Sequence, residues 1–149
     1  MKNTKRSGFT LVELLIVIVV IGVLSAMMML SSTEAVSSAK AADIISDLRN
    51  LKTAALAWYA DNLETADGLA KDGLTSKRTD IIKYLGTASA DAKYKFYNST
   101  ANQWYVGFDA PDTKVGEKLK ARASSVGLLN SQKSNDIYAG SGVVYMLVR

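Results

Sequence analysis

The chain contains no cysteine and no histidine, and its one proline is Pro111. Without cysteine no disulfide can close a loop, so an exported chain of this sequence folds on packing alone. Without histidine, Ser-His-Asp and Cys-His nucleophile systems, imidazole acid–base chemistry and the usual zinc ligand sets are excluded. An enzyme would have to run on carboxylates, lysine or tyrosine. Charge of one sign is also scarce once its location is considered. The formal net charge is +4 over 149 residues, but Lys2, Lys5 and Arg6 all lie in the first eight. The remainder is close to neutral, which is no electrostatic footprint for nucleic acid.

What is present is one long apolar run. From Phe9 to Leu30 only Thr10, Glu13 and Ser25 interrupt it. As a helix this stretch spans about 33 Å at roughly 1.5 Å per residue, enough for a hydrocarbon core of about 30 Å. The cations before it predict a cytoplasmic N-terminus, with everything after Leu30 on the far side. A secretory signal peptide fits poorly: its apolar region is shorter, about 7–15 residues, and ends at a small-x-small site. Glu13 is the anomaly. A carboxylate costs roughly 2.5–3.5 kcal/mol at a bilayer centre, so such a residue usually has a partner and a purpose. On residue type alone, a position at headgroup level serves equally well.

Helical periodicity continues beyond Leu30. Ala41, Ile44, Ile45, Leu48, Leu51, Ala55, Trp58 and Tyr59 recur at three- and four-residue steps, with Lys40, Asp43, Asp47, Arg49 and Lys52 on other faces. One helix is predicted from Phe9 to about Asp61, apolar all round in its first half and striped in its second. The stripe needs a cover. Residues 61–76 read as a loop, and 78–86 as a short helix with Thr79 or Asp80 near its start and Gly86 as its stop. Residues 94–99 and 103–109 alternate and are rich in aromatics, so they predict a β-hairpin around Thr100-Ala101-Asn102, closed by Pro111. Residues 113–126 read as a surface helix weakened by Gly116, 131–142 as loop and 143–149 as a terminal strand. The fold class is therefore α+β. A long N-terminal helix, transmembrane then amphipathic, packs on a small head with a three-stranded antiparallel sheet.

The opening also resembles a known family. The basic leader ending in Gly8, the stretch Phe9-Thr10-Leu11-Val12-Glu13 and the apolar helix are similar to type IV pilins and pseudopilins, with the specific motif covering roughly residues 5–30. The resemblance implies a structural protein, not an enzyme; no cofactor and no metal is expected, although some pseudopilins bind calcium. It implies cleavage between Gly8 and Phe9 by prepilin peptidase and N-methylation of Phe9. It also implies insertion in the inner membrane, engagement of the pilus assembly machinery and polymerisation with other copies of the chain. The boundaries that follow are a leader at 1–8, a transmembrane and assembly helix at 9–30, its amphipathic continuation at 31–62 and a globular head at 63–149. The implied location is an inner-membrane precursor and then a surface pilus or periplasmic pseudopilus.

In the family's filaments the glutamate matching Glu13 faces the terminal amine of a neighbouring subunit. An α-amino group titrates around 7.7–8.0 and is cationic near neutrality. Unit charges about 4 Å apart attract by about 4 kcal/mol at an effective dielectric of about 20, so the pair would act as a register pin. The chain departs from the family in having Leu30 where many members have proline, leaving Gly22 as the weak point of the helix, and in lacking the C-terminal disulfide. Pilus subunit, pseudopilin of a type II secretion or DNA-uptake system, and membrane-anchored enzyme or binding domain are the alternatives. The Gly8, Phe9, Glu13 set favours the first two.

Other signals are weaker. Asp61, Asn62, Glu64, Asp67 and Asp72 fail the EF-hand spacing, since Gly68 at the sixth position would put Leu63 first. Asn135 and Asp136 read as solvated loop rather than a calcium site. Lys114, Lys118, Lys120 and Arg122 make a charged helix face. Trp58, Tyr59, Trp104 and Tyr105 read as core aromatics rather than a stacking platform. Asn98-Ser99-Thr100 matches a glycosylation sequon.

Overall fold

A computed structural model describes residues 8–62, 77–85, 93–98, 103–109, 111–132 and 136–149. Residues 1–7 of the expected leader, the 63–76 loop with its acids, the Gly86 stop, the hairpin turn and Asn135 lie outside them. In chain order the elements are α1 (Leu11–Asp61), α2 (Arg78–Ile82, extended by a 3-10 turn at Lys83–Leu85), β1 (Tyr94–Asn98), β2 (Trp104–Phe108), α3 (Thr113–Val126), β3 (Leu128–Leu129) and β4 (Val144–Leu147). The chain divides into two compact units, Met1–Val36 and Ser37–Arg149.

The helix α1 runs unbroken for 51 residues, through both Gly22 and Leu30. Its stop is chemical. The Asn62 side-chain amide donates to the Trp58 carbonyl at 2.9 Å, supplying a partner for one of the carbonyls a helix end leaves unbonded. Among the described side chains of the first unit the large apolar ones are open, from 46% exposed at Val17 to 80% at Leu11.

The second unit holds the core. Ala41, Ile44, Ile45, Leu48, Leu51, Ala55 and Trp58 are buried, as the three- and four-residue spacing predicts, and Tyr59 packs against them half-buried. Their cover is an antiparallel sheet of order β1-β2-β4-β3. The sheet thus has four strands where three are expected. The fourth, β3, is a two-residue segment with no alternation to betray it, and it exists because Leu128 finds Met146 across the ladder. Phe96, Val106, Met146 and Leu128 stand opposite one another in register and form one buried row. Burying side chains of this size contributes about 1.5–3 kcal/mol each.

Two aromatic clusters occupy the two faces of the sheet. On the core face, the Trp104 ring centroid lies 6.2 Å from Trp58 and 5.3 Å from Tyr59, the latter edge to face. Tyr105, next along β2, points to the opposite face as strand alternation requires, and its hydroxyl donates to Gln103 Oε1 at 2.8 Å. Tyr105 is therefore buried, at 3% exposed, as expected of a core aromatic, but on the sheet face away from the main core cluster. Tyr97 and Tyr145 meet edge to face at 5.1 Å over Gly107.

The helix α3 begins where Asp112 Oδ1 accepts from the Lys114 amide and ends at Gly127, whose φ of 75° is the left-handed conformation glycine tolerates. Although read from sequence as a surface helix, it buries Val115, Gly116, Leu119 and Ala123. Gly116, which weakens the helix by propensity, is explained by packing. A Cβ there would overlap the carbonyl oxygen of Gly140. This contact, with Tyr138 at 1% exposed, holds the 136–142 segment that no disulfide closes. The helix α2 starts at Arg78, with Thr79 and Asp80 in its first turn as expected. Its cap position is Lys77, with no side-chain cap, and Asp80 instead pairs with Lys83 at 3.1 Å.

Candidate functional site

The candidate site is the junction where non-helical chain becomes the apolar helix. Gly8, Phe9 and Thr10 are exposed and non-helical, and α1 starts at Leu11. The Gly8–Phe9 bond therefore lies in exposed chain ahead of the first helical turn.

Helix starts leave backbone N–H groups without partners, and away from water each is costly. Here Thr10 and Glu13 answer that need reciprocally. The Thr10 amide and the Thr10 hydroxyl both donate to Glu13 Oε2 at 2.8 Å. The Glu13 amide in turn donates to Thr10 Oγ1 at 3.2 Å. This is a capping box, with the carboxylate at the third helical position, where the positive end of the helix dipole also favours it. Two of these bonds engage Oε2 and the third the Glu13 backbone amide, and among the described residues no bond to Oε1 is present.

Thr10 is the residue that sequence reasoning left without a role. The signal was there: Thr-x-x-Glu ahead of an apolar run is the sequence form of a capping box. It was hidden because the apolar run made Glu13 look like a charge in search of a distant partner, when a partner sits three residues away.

Past this cap, α1 supplies a stretch long and apolar enough to cross a membrane, with a mean hydropathy of 2.8 in its best window and none of that window buried. This stretch, unlike the second half of α1, buries no core side chain, and it runs unbroken through Gly22, where a Cβ would meet nothing within 4 Å. Among the described residues no group of three or more Asp or Glu converges on a point that could hold a metal ion.

The model of the prokaryotic N-terminal methylation motif matches residues 3–29, which include Gly8, Phe9, Thr10 and Glu13. No curated protein and no solved structure matches the chain. The motif marks structural, pilin-like proteins that are processed by prepilin peptidase and assemble into pilus-type polymers. Together with the exposed apolar helix it fits a membrane-anchored precursor. The chain therefore carries, over residues 3–29, the N-terminal methylation motif, which supports a class III, prepilin-type leader as in type IV pilins and pseudopilins.

Proposed function

We propose that this protein is a structural subunit of a type IV pilus, cleaved after Gly8, N-methylated on Phe9 and polymerised through α1. The observation that carries this reading is the methylation motif running directly into a helical stretch, residues 11–29, with no buried side. Such a surface needs a bilayer before assembly and other copies afterwards. On this reading residues 1–8 are removed as the leader, 9–30 cross the inner membrane and then line a filament, 31–62 continue the helix and 63–149 complete the head. The head projects from the cell surface in a pilus. In a pseudopilus of a secretion or DNA-uptake system it stays in the periplasm.

Glu13 has two successive tasks in this account. In the precursor Phe9 has no free amine, and the carboxylate is satisfied by Thr10. After cleavage the new cationic amine of a neighbouring Phe9 becomes available, and the carboxylate pairs with it through the oxygen that the cap leaves open. Each charge alone is costly in an apolar bundle, and the pair compensates both. A subunit at the wrong height leaves both unpaired.

Intact-mass analysis of membrane and sheared-filament protein tests the processing. The expected mass is that of a chain starting at N-methyl-Phe9; a chain starting at Met1 or beyond Ser25 refutes it. Replacing Gly8 with a bulky residue should block cleavage and abolish filaments. Glu13→Ala should leave insertion and cleavage intact while suppressing polymerisation, because breaking a buried pair costs roughly 3–5 kcal/mol. Normal filament yield from that variant would sink the pairing mechanism.

A further inference from the structure

Within residues 37–149, a groove of about 330 Å³ runs between α1 and α3. Its lining includes Ile45 and Val126, Ser46 and Asn50, and two cations, Arg49 and Arg122, with no carboxylate. Both arginines are exposed, and among the described residues neither side chain has an ion pair or hydrogen bond. Two uncompensated guanidiniums in one groove are a ready fork for a carboxylate, since each can present parallel N–H donors.

The same pair of helices carries a carboxylate elsewhere. A second groove, of about 380 Å³, is lined by Asp43 and Lys40 of α1, by Asp112 and Val115 at the start of α3, and by Lys93 ahead of β1, so its two carboxylates stand with two lysines. Asp112 is occupied as the α3 cap, whereas Asp43 is exposed and has no side-chain partner among the described residues. Six residues separate Asp43 from Arg49. At about 1.5 Å and 100° per residue, that is about 9 Å along α1 and about 120° around it. A cationic groove and a carboxylate at different places on the surface can meet across a two-fold, each copy's carboxylate in the other's groove, or head to tail. Only the head-to-tail contact generates an open helical array when repeated, which is the arrangement the filament reading requires.

We propose that the Arg49–Arg122 groove is the docking site for Asp43 of a second copy of this chain, shifted by about 9 Å along α1. The proposal rests on the filament reading above and adds to it a contact between heads. Lys40, one turn before Asp43, sharpens the register. A copy shifted so that Lys40 enters the groove meets like charge, and that arrangement is penalised.

The test uses the full chain in cells that make filaments. Arg49→Glu with Arg122→Glu should lower sheared-filament yield about tenfold or more, as expected for like charges facing across an interface, with leader cleavage and membrane insertion unchanged. Adding Asp43→Arg to that chain should restore the yield, and restoration also shows that the reversed head still folds. A second measurement exploits the absence of native cysteine. Asp43→Cys with Arg49→Cys places two thiols about 9 Å apart on one helix, beyond the roughly 7 Å Cα separation a disulfide spans, so only different copies can be linked. Oxidised filaments should give a ladder of linked subunits.

Normal yield from the double reversal, or filaments without a ladder, overturns the docking site and leaves the filament reading standing. Normal yield combined with loss of an arginine-dependent retention of duplex DNA also overturns it and gives the groove to a polyanion. An unaltered chain that is cleaved but never polymerises overturns the filament reading and this contact with it.

Discussion

Residues 11–29 and 41–58 belong to one helix, yet they meet their surroundings in opposite ways. In the first stretch every large apolar side chain is open, Leu11 and Met29 at about four-fifths of their area. In the second, Leu48 and Ala55 are fully buried and the exposed positions are charged, polar or small, apart from Leu56 at 38%. Hydrophobicity alone does not separate these regions; angular distribution does. A stripe implies a cover encoded in the same chain, here the sheet. Apolar residues on every side imply that no single element of the chain can cover them, so the solvent itself must be apolar or the partner must be other copies. The polar residues of the first stretch follow the same logic, since Thr10 and Glu13 sit where the helix start has unbonded donors.

The largest effect that should separate the two regions comes from truncating a leucine in each. Leu48→Ala deletes buried volume from the seam and should destabilise the head by about 2–5 kcal/mol. Leu15→Ala, about half exposed in the single chain, should leave head unfolding unchanged. Denaturant titration of full-length protein in detergent micelles, followed by tryptophan fluorescence from Trp58 and Trp104, reports on the head alone. Equal losses from both substitutions would break the comparison. Removing residues 1–36 should likewise leave a cooperatively unfolding head, since the core cluster begins at Ala41.

Much of this architecture was legible in the sequence for identifiable reasons. The helix α1 was readable to within two residues of its start because its periodicity is long and no proline intervenes. The hairpin was readable because Tyr94 to Phe108 alternates around a short polar turn. What stayed hidden was decided by tertiary contact. The strand β3 has two residues and is defined only by its partner, and Tyr105 looks like its neighbour Trp104 until the strand assigns them opposite faces. At the candidate site, Gly8, Phe9 and Glu13 stood out through resemblance, whereas Thr10 required the local geometry of the cap.

A smaller effect, but one with a sign to read, comes from a glycine in each region. Propensity alone says that Gly→Ala in a helix interior stabilises by about 1 kcal/mol. Gly22→Ala should follow that rule, since a Cβ there meets nothing within 4 Å. Gly116→Ala should reverse it. The new methyl would strike the Gly140 carbonyl oxygen, and overpacking of this kind costs typically about 1–3 kcal/mol. Helix content by circular dichroism should hold or rise for Gly22→Ala, while the head midpoint should fall for Gly116→Ala. A stabilised Gly116→Ala head would mean that the 136–142 segment does not pack on α3 as described.

The smallest expected effect is alkaline, and it belongs to the head. Lys95 has its affinity for a proton raised by its hydrogen bond to Asp109 Oδ2 and by that carboxylate's charge. Tyr84 is raised by donating its hydroxyl to Asp61, while Tyr97 and Tyr138 are raised chiefly by burial. All four hold their protons more tightly folded than unfolded. Their contribution is complete below about pH 10, where the unfolded chain is also protonated, and it is lost as pH rises through the raised folded values. Unfolding midpoints should therefore be flat from neutrality to about pH 9 and fall above about pH 10. Asp109→Asn should remove the Lys95 share of that fall and change little at pH 7, because the pair is exposed and screened. Tyr138→Phe should remove the share of a buried phenol and move the onset to higher pH. The first unit offers a control, because its helix from Leu11 to Met29 carries no lysine or tyrosine. Its helicity in micelles should persist across the range in which the head is lost, and simultaneous loss of both would show that the two regions unfold as one.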